Sequence, residues 1–122
     1  MPRQHASLSQ DRWATFSLDQ QILMIANEMN RATNFLRPKN NKSLTNCYER
    51  ILNLTDLTIR VQHKKSLRRE LLRWRDVVAE LYISPQADAR NHMAAFKCLL
   101  CFTSEAAKQR PYVLDSTPTA NF

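Results

Sequence analysis

The stretch RVQHKKSLRRELLRWRDVVAELY, Arg60 to Tyr82, decides how this chain is read, because it puts an apolar spine and most of the positive charge on one element. At about 100° per residue, Leu67, Leu71, Trp74, Val78 and Leu81 fall within one narrow arc, the spacing of a helix that buries one face. Lys65, Arg69 and Arg73 then point away from that arc, with Asp76 and Glu80 beyond them, while Lys64, Arg68 and Arg75 lie along one flank. Residues 60–75 hold seven Lys or Arg against one acid, Glu70, so this window carries six of the seven net positive charges of the chain. A charge run is ordinarily a solvated face. A concentration this tight raises the alternative of a phosphate-binding surface, whose candidate residues are Lys64, Lys65, Arg68, Arg69, Arg73 and Arg75.

Working outward, Gln62-His63-Lys64-Lys65 connects to this helix, with Ser66 the expected N-cap and Glu70 close to the capping-box position. Positive charge at a helix N-terminus opposes the macrodipole, at roughly 0.3 kcal/mol or more per charge, and is easier to explain if it meets an anion. The preceding helix is expected from Ser43, its seam running through Leu44, Cys47, Ile51, Leu54 or Thr55, and Thr58, with Tyr48, Leu52 and Ile59 widening it until Val61-Gln62. Before it, Ser17-Leu18-Asp19-Gln20 reads as a capping box opening a helix whose inward residues are Leu18, Ile22, Ile25, Met29, Ala32 and Leu36, and which Arg37-Pro38 ends. The polar KNNK, Lys39 to Lys42, is short enough to make these two helices antiparallel neighbours. Residues 1–16 show no sustained period and are expected to be an arm that docks through Trp13 and Phe16.

Beyond the basic segment, Ser84-Pro85, or else Asp88, starts a fourth helix with Met93, Phe96, Leu99 or Leu100, Thr103 and Ala107 inward, ending at Arg110-Pro111. The expectation is an all-α fold: an N-terminal arm over 1–16, an up-down-up-down four-helix bundle over 17–110, and a mobile C-terminal tail over 111–122.

Composition narrows the function. With 122 residues, 43% apolar and 24% charged, the chain suits one globular core and not disorder. Glycine is absent, which sets aside Gly-rich phosphate loops, dinucleotide fingerprints and tight hairpins. No apolar leader and no run of 18 apolar residues is present, so a cytoplasmic location without membrane insertion is expected. A pI near 9.8 fits a nucleic acid, an acidic protein or an anionic surface as partner.

Residues able to do chemistry give no active site. Cys98-x-x-Cys101 with His92 and Cys47 resembles a zinc set, but the pair falls mid-helix, where Cys47, Cys98 and Cys101 are expected to be small packing residues. A redox pair would need a βαβ context. Arg90 stands two residues before His92 and Arg60 three before His63, neither at the spacing of the Arg–His dyad of the HEPN ribonucleases. Glu28 and Arg31 on one helix, with Glu49 and Arg50 on the next, are read either as an inter-helix polar cluster or, in the favoured case, as surface pairs; Trp74 is expected as core, and Trp13 as the less constrained aromatic. No catalytic residue, metal or cofactor is assigned.

Trp13 to Gln21, NEMNRA at Asn27 to Ala32, YERILNLTDLTI at Tyr48 to Ile59, and LLRWRDVVAELY at Leu71 to Tyr82 together resemble short bacterial four-helix proteins. Those are similar to the accessory variability proteins of diversity-generating retroelements and, more distantly, to proteins encoded in intervening sequences of large-subunit rRNA genes. The resemblance implies a non-enzymatic basic bundle that assembles as a ring, a pentamer in the favoured case. It also implies binding of a reverse transcriptase with its template RNA or cDNA, with the basic positions above as the contact surface. Asp76, Glu80 and the polar tail depart from that pattern. The competing expectation is a structural or regulatory module whose basic stripe meets an acidic protein and no nucleic acid.

Overall fold

A computed structural model of the chain describes residues 9–36 and 41–112. These residues contain no strand and form six helices: α1 (Gln10–Ala14), α2 (Leu18–Thr33), α3 (Asn41–Val61), α4 (Lys65–Ile83), α5 (Ala89–Leu100) and α6 (Ser104–Ala107). The class is all-α. Helix α2 packs on α3, α3 on α4, α4 on α5, and α5 back on α2, so the four longer helices enclose one core. Helix α1 lies against α3, and α6 against α2 and α5.

The seams read from the sequence are the buried faces. Ile22, Ile25, Met29 and Ala32 come from α2, and Leu44, Cys47, Tyr48, Ile51, Leu54 and Ile59 from α3. Leu71, Trp74, Val78 and Leu81 come from α4, with Leu67 partly covered. Thr55 and Thr58 sit within the α3 seam because their hydroxyls donate to the Ile51 and Leu54 carbonyls one turn back, so neither hydroxyl is left unpaired in the core. The capping box opens α2 as expected: Gln20 N–H donates to Ser17 Oγ at 3.1 Å and Ser17 N–H to Gln20 Oε1 at 2.9 Å.

Several boundaries differ from expectation for local reasons. Helix α2 ends at Thr33, and residues 34–36 close it with i to i+3 backbone bonds, one turn before the Arg37-Pro38 signal, which lies outside the described residues, as do residues 39 and 40 of the KNNK connection. Asn41 already belongs to α3, so Ser43 is inside that helix and does not cap it. Lys64, and not Ser66, holds the N-cap position of α4 without a side-chain cap. Asp88 caps α5, its Oδ1 accepting from Asn91 N–H at 3.0 Å.

The expected fourth helix is broken. Helix α5 stops at Leu100, and Thr103, in extended backbone, accepts from Ala106 N–H at 3.1 Å to start α6. Ala106, fully buried, replaces Thr103 and Ala107 as the inward residue there. The expectation for the cysteines holds for Cys47, which is buried, but not for Cys98, within α5, or Cys101, its C-cap, both of which are exposed. Among the described residues no group of three or more His, Cys, Asp or Glu is placed to hold a metal ion.

Residues 9–16 belong to the core. Ser9 caps α1, and Trp13 is completely buried with its Nε1–H donated to Thr58 Oγ1 at 2.9 Å. Gln21, itself buried, holds the segment by donating its amide N–H groups to the carbonyls of Trp13 and Phe16 at 2.9 and 3.0 Å. A boundary at residue 16 therefore does not follow the packing. Residues 1–8 of the arm and 113–122 of the tail lie outside the described residues.

Polar residues also join helices. His92 on α5 is buried between Tyr48 of α3, whose hydroxyl is 2.8 Å from Nδ1, and the Met29 carbonyl of α2, 3.1 Å from Nε2. Trp74 donates Nε1–H to the Ala95 carbonyl at 2.8 Å, tying α4 to α5. Glu28 reaches from α2 to Arg50 of α3 at 3.8 Å, and Glu49 accepts from the Tyr82 hydroxyl of α4 at 2.7 Å. Both glutamates thus serve contacts between helices, the alternative to the favoured surface pairs, with Tyr82 and not an arginine as the partner of Glu49.

Candidate nucleic-acid interface

The basic window folds as the last turn of α3, a three-residue connection and the first three turns of α4. Since Leu71, Trp74 and Val78 turn inward, the intervening Arg and Lys residues are forced outward, and Lys64, Lys65, Arg68, Arg69 and Arg73 are all exposed. From Lys64 to Arg73 the helix rises about 14 Å, so these charges form a ridge comparable in length to several phosphate spacings.

The six candidate residues fall into three groups. Lys64, Lys65, Arg68 and Arg69 have no carboxylate within ion-pair distance among the described residues. Arg73 pairs with Glu70 on its own helix at 2.8 Å, both side chains more than half exposed, an interaction worth about 0–1 kcal/mol that leaves the guanidinium accessible.

Arg75 is different. Its Nε and Nη2 donate to the two carboxylate oxygens of Asp56 on α3 at 2.5 and 3.3 Å, with about two thirds of each side chain covered. The hydrogen bond to Asp56 raises the Arg75 pKa against the opposing effect of partial burial. Arg75 thus clamps α3 to α4 and leaves the expected phosphate-binding set. Its sequence position, about two turns from Arg68 on the same flank, gives no sign of this; the difference is that Asp56 stands opposite one and not the other.

One residue joins the ridge. Arg60, in the last turn of α3, is exposed and has no carboxylate partner among the described residues, so the unpaired bases number five: Arg60, Lys64, Lys65, Arg68 and Arg69. The signal was its place at the α3–α4 junction, where a helix end and a helix start meet. The N-terminus of α4 has no acid in its first turn and no side-chain cap, so the orphan N–H groups of that turn lie beside Lys64, Lys65 and Arg68 with only positive charge around them. This arrangement favours anions; the imidazole within the window is the exposed His63, and His92 is buried elsewhere.

Among the described residues, no helix is long and apolar enough to cross a membrane. Comparison of the chain with protein-family models, with curated proteins and with solved structures gives no match.

Proposed function

We propose that this protein is a non-enzymatic, cytoplasmic accessory factor that binds nucleic acid by neutralising phosphates along the α3–α4 ridge. The observation that carries the reading is the set of five exposed, carboxylate-free bases within nine residues of one another or fewer, on a chain whose remaining charge nearly cancels. Phosphate contacts position a protein without reading sequence, so affinity is expected to be similar across unrelated RNAs.

The resemblance to retroelement accessory proteins supports a reverse transcriptase with its template RNA or cDNA as partner. It also supports assembly into a ring-shaped homo-oligomer, a pentamer in the favoured case. The closed packing cycle of α2, α3, α4 and α5 supports an up-down-up-down four-helix bundle as the protomer. Light-scattering mass with and without a short RNA tests the assembly.

Counterion release gives the direct test. Five phosphate contacts predict a slope of about −3.5 in log K against log salt for single-stranded RNA, a loss of about 100-fold between roughly 50 and 200 mM. Charge reversal at Arg68, Arg69 and Arg73 is expected to weaken binding to all sequences alike and to flatten that slope. Binding that does not respond to salt rules the ridge out as a phosphate contact.

Arg75→Ala separates the two kinds of arginine. It is expected to lower stability by about 1 kcal/mol in urea denaturation, through loss of the Asp56 pair, while leaving RNA affinity within about twofold.

A further inference from the structure

The side of α4 turned toward α5 carries a trough of about 600 Å³, beside the basic ridge and sharing Arg73 with it. Its lining runs from Glu70 to Ser84 on α4 and from Asp88 to Phe102 on α5 and the turn that follows, a length of about 21 Å along each helix. Spread over that length, the volume corresponds to a cross-section of about 30 Å². That is far narrower than the 10–12 Å diameter of a whole helix but sufficient for a row of side chains.

The floor is apolar. Trp74, Leu81, Ala95 and Phe102 border it, and Val77 lies within it 44% exposed, one of the more exposed large apolar residues described. Ala94 and Ala95 opposite are too short to fill the space, which is why the trough stays open although Trp74 ties the two helices together. The rim has the opposite sign to the rest of the protein: Glu70, Glu80 and Asp88 against Arg73 alone leave a net charge of −2 along the trough, on a chain of formal charge +7. Arg73 is already engaged by Glu70, and Glu80 has no ion-pair partner among the described residues.

From these features we infer that the trough docks a basic amphipathic helix of a partner protein. The apolar row of that helix lies between α4 and α5, and its Lys or Arg flank faces Glu80 and Asp88. The length admits about four helical turns, the floor selects apolar residues at i, i+3, i+4 and i+7, and the rim selects positive charge beside them. A polyanion is repelled from the same rim, so the trough and the ridge take different partners. The inference does not depend on the ridge binding nucleic acid.

Cys98 and Cys101 supply the assay. Both thiols are exposed, but only Cys98 lines the trough. The probe is a synthetic helix of about 14 Leu and Lys residues with Leu at the spacing above, compared with its Leu/Glu counterpart. The Leu/Lys peptide is expected to bind by fluorescence anisotropy, to slow alkylation of Cys98 at least about tenfold, and to leave Cys101 unchanged. Val77→Lys and Glu80→Lys, both at exposed positions, are each expected to weaken the peptide at least about tenfold while leaving RNA binding intact; Arg68→Glu with Arg69→Glu is expected to do the reverse. Equal affinity for the Leu/Glu peptide, unprotected Cys98, or binding indifferent to Val77→Lys overturns the inference. So does a doubled mass without peptide that Val77→Lys returns to monomer, which assigns the trough to a second copy of this chain.

Discussion

Acidification from pH 7 to pH 4 is expected to remove about 3 kcal/mol of stability through His92 alone. The geometry allows one neutral tautomer. The Met29 carbonyl only accepts, so Nε2 carries the hydrogen and shares it with Thr33 Oγ1 at 3.3 Å, while Nδ1 accepts from the Tyr48 hydroxyl at 2.8 Å. Burial pushes the Tyr48 phenol pKa up, so the hydroxyl keeps its proton and can donate it to Nδ1. Burial also lowers His92 from 6.5 to about 4, only partly opposed by the hydrogen bond to Met29. Between those values the unfolded chain binds a proton that the folded protein refuses, so stability falls as pH drops through this window and His92 contributes no further loss below it.

Urea denaturation from pH 7 to 4 should show the slope, and His92→Gln, which cannot titrate, should flatten it. Nitrogen NMR should find the Nε2–H tautomer still neutral at pH 5; an imidazole midpoint near 6.5 contradicts the assignment. Tyr48→Phe leaves Nδ1 buried without a donor and is expected to cost about 1–3 kcal/mol at neutral pH.

Trp13→Ala is expected to destabilise the protein by about 3–5 kcal/mol, a large share of the roughly 5–15 kcal/mol that holds a domain folded. The side chain is completely buried, and its removal leaves a cavity against α3, takes the donor from Thr58 Oγ1 and loosens the segment that Gln21 holds. Trp13→Phe keeps most of the volume and loses the hydrogen bond, so about 1 kcal/mol or somewhat more is expected. With Trp74 as the remaining tryptophan, that variant also gives a clean fluorescence signal for the α4–α5 contact. Thermal denaturation of Trp13→Ala indistinguishable from the parent shows residues 9–16 to be an appendage after all.

The outcome at Trp13 illustrates where sequence reading stops. A five-residue helix contains too few turns to establish a period, so α1 is invisible to an argument from recurrence, although its Trp was identified as a docking residue. The break after Leu100 was hidden for a related reason: LLCFT continues the apolar pattern, and only the backbone at Thr103 reveals that its hydroxyl caps a new helix. The candidate basic set divides on the same principle. Arg68 and Arg75 are chemically alike on one flank of one helix, and the neighbour that neutralises Arg75 is nineteen residues away on another.

By itself the sequence determined that the chain is all-helical, which faces of α2, α3, α4 and α5 are buried, and that the bases between Arg60 and Arg73 must face outward, because each is a consequence of a 3.6-residue repeat within a single element. The tertiary structure decided the pairings between elements. Trp13 meets Thr58, His92 meets Tyr48 and Met29, Asp56 pairs with Arg75, and short alanines opposite Val77 leave an acidic trough. No local pattern encodes these, since each depends on which residue of a distant helix arrives opposite once the apolar faces have closed on one another.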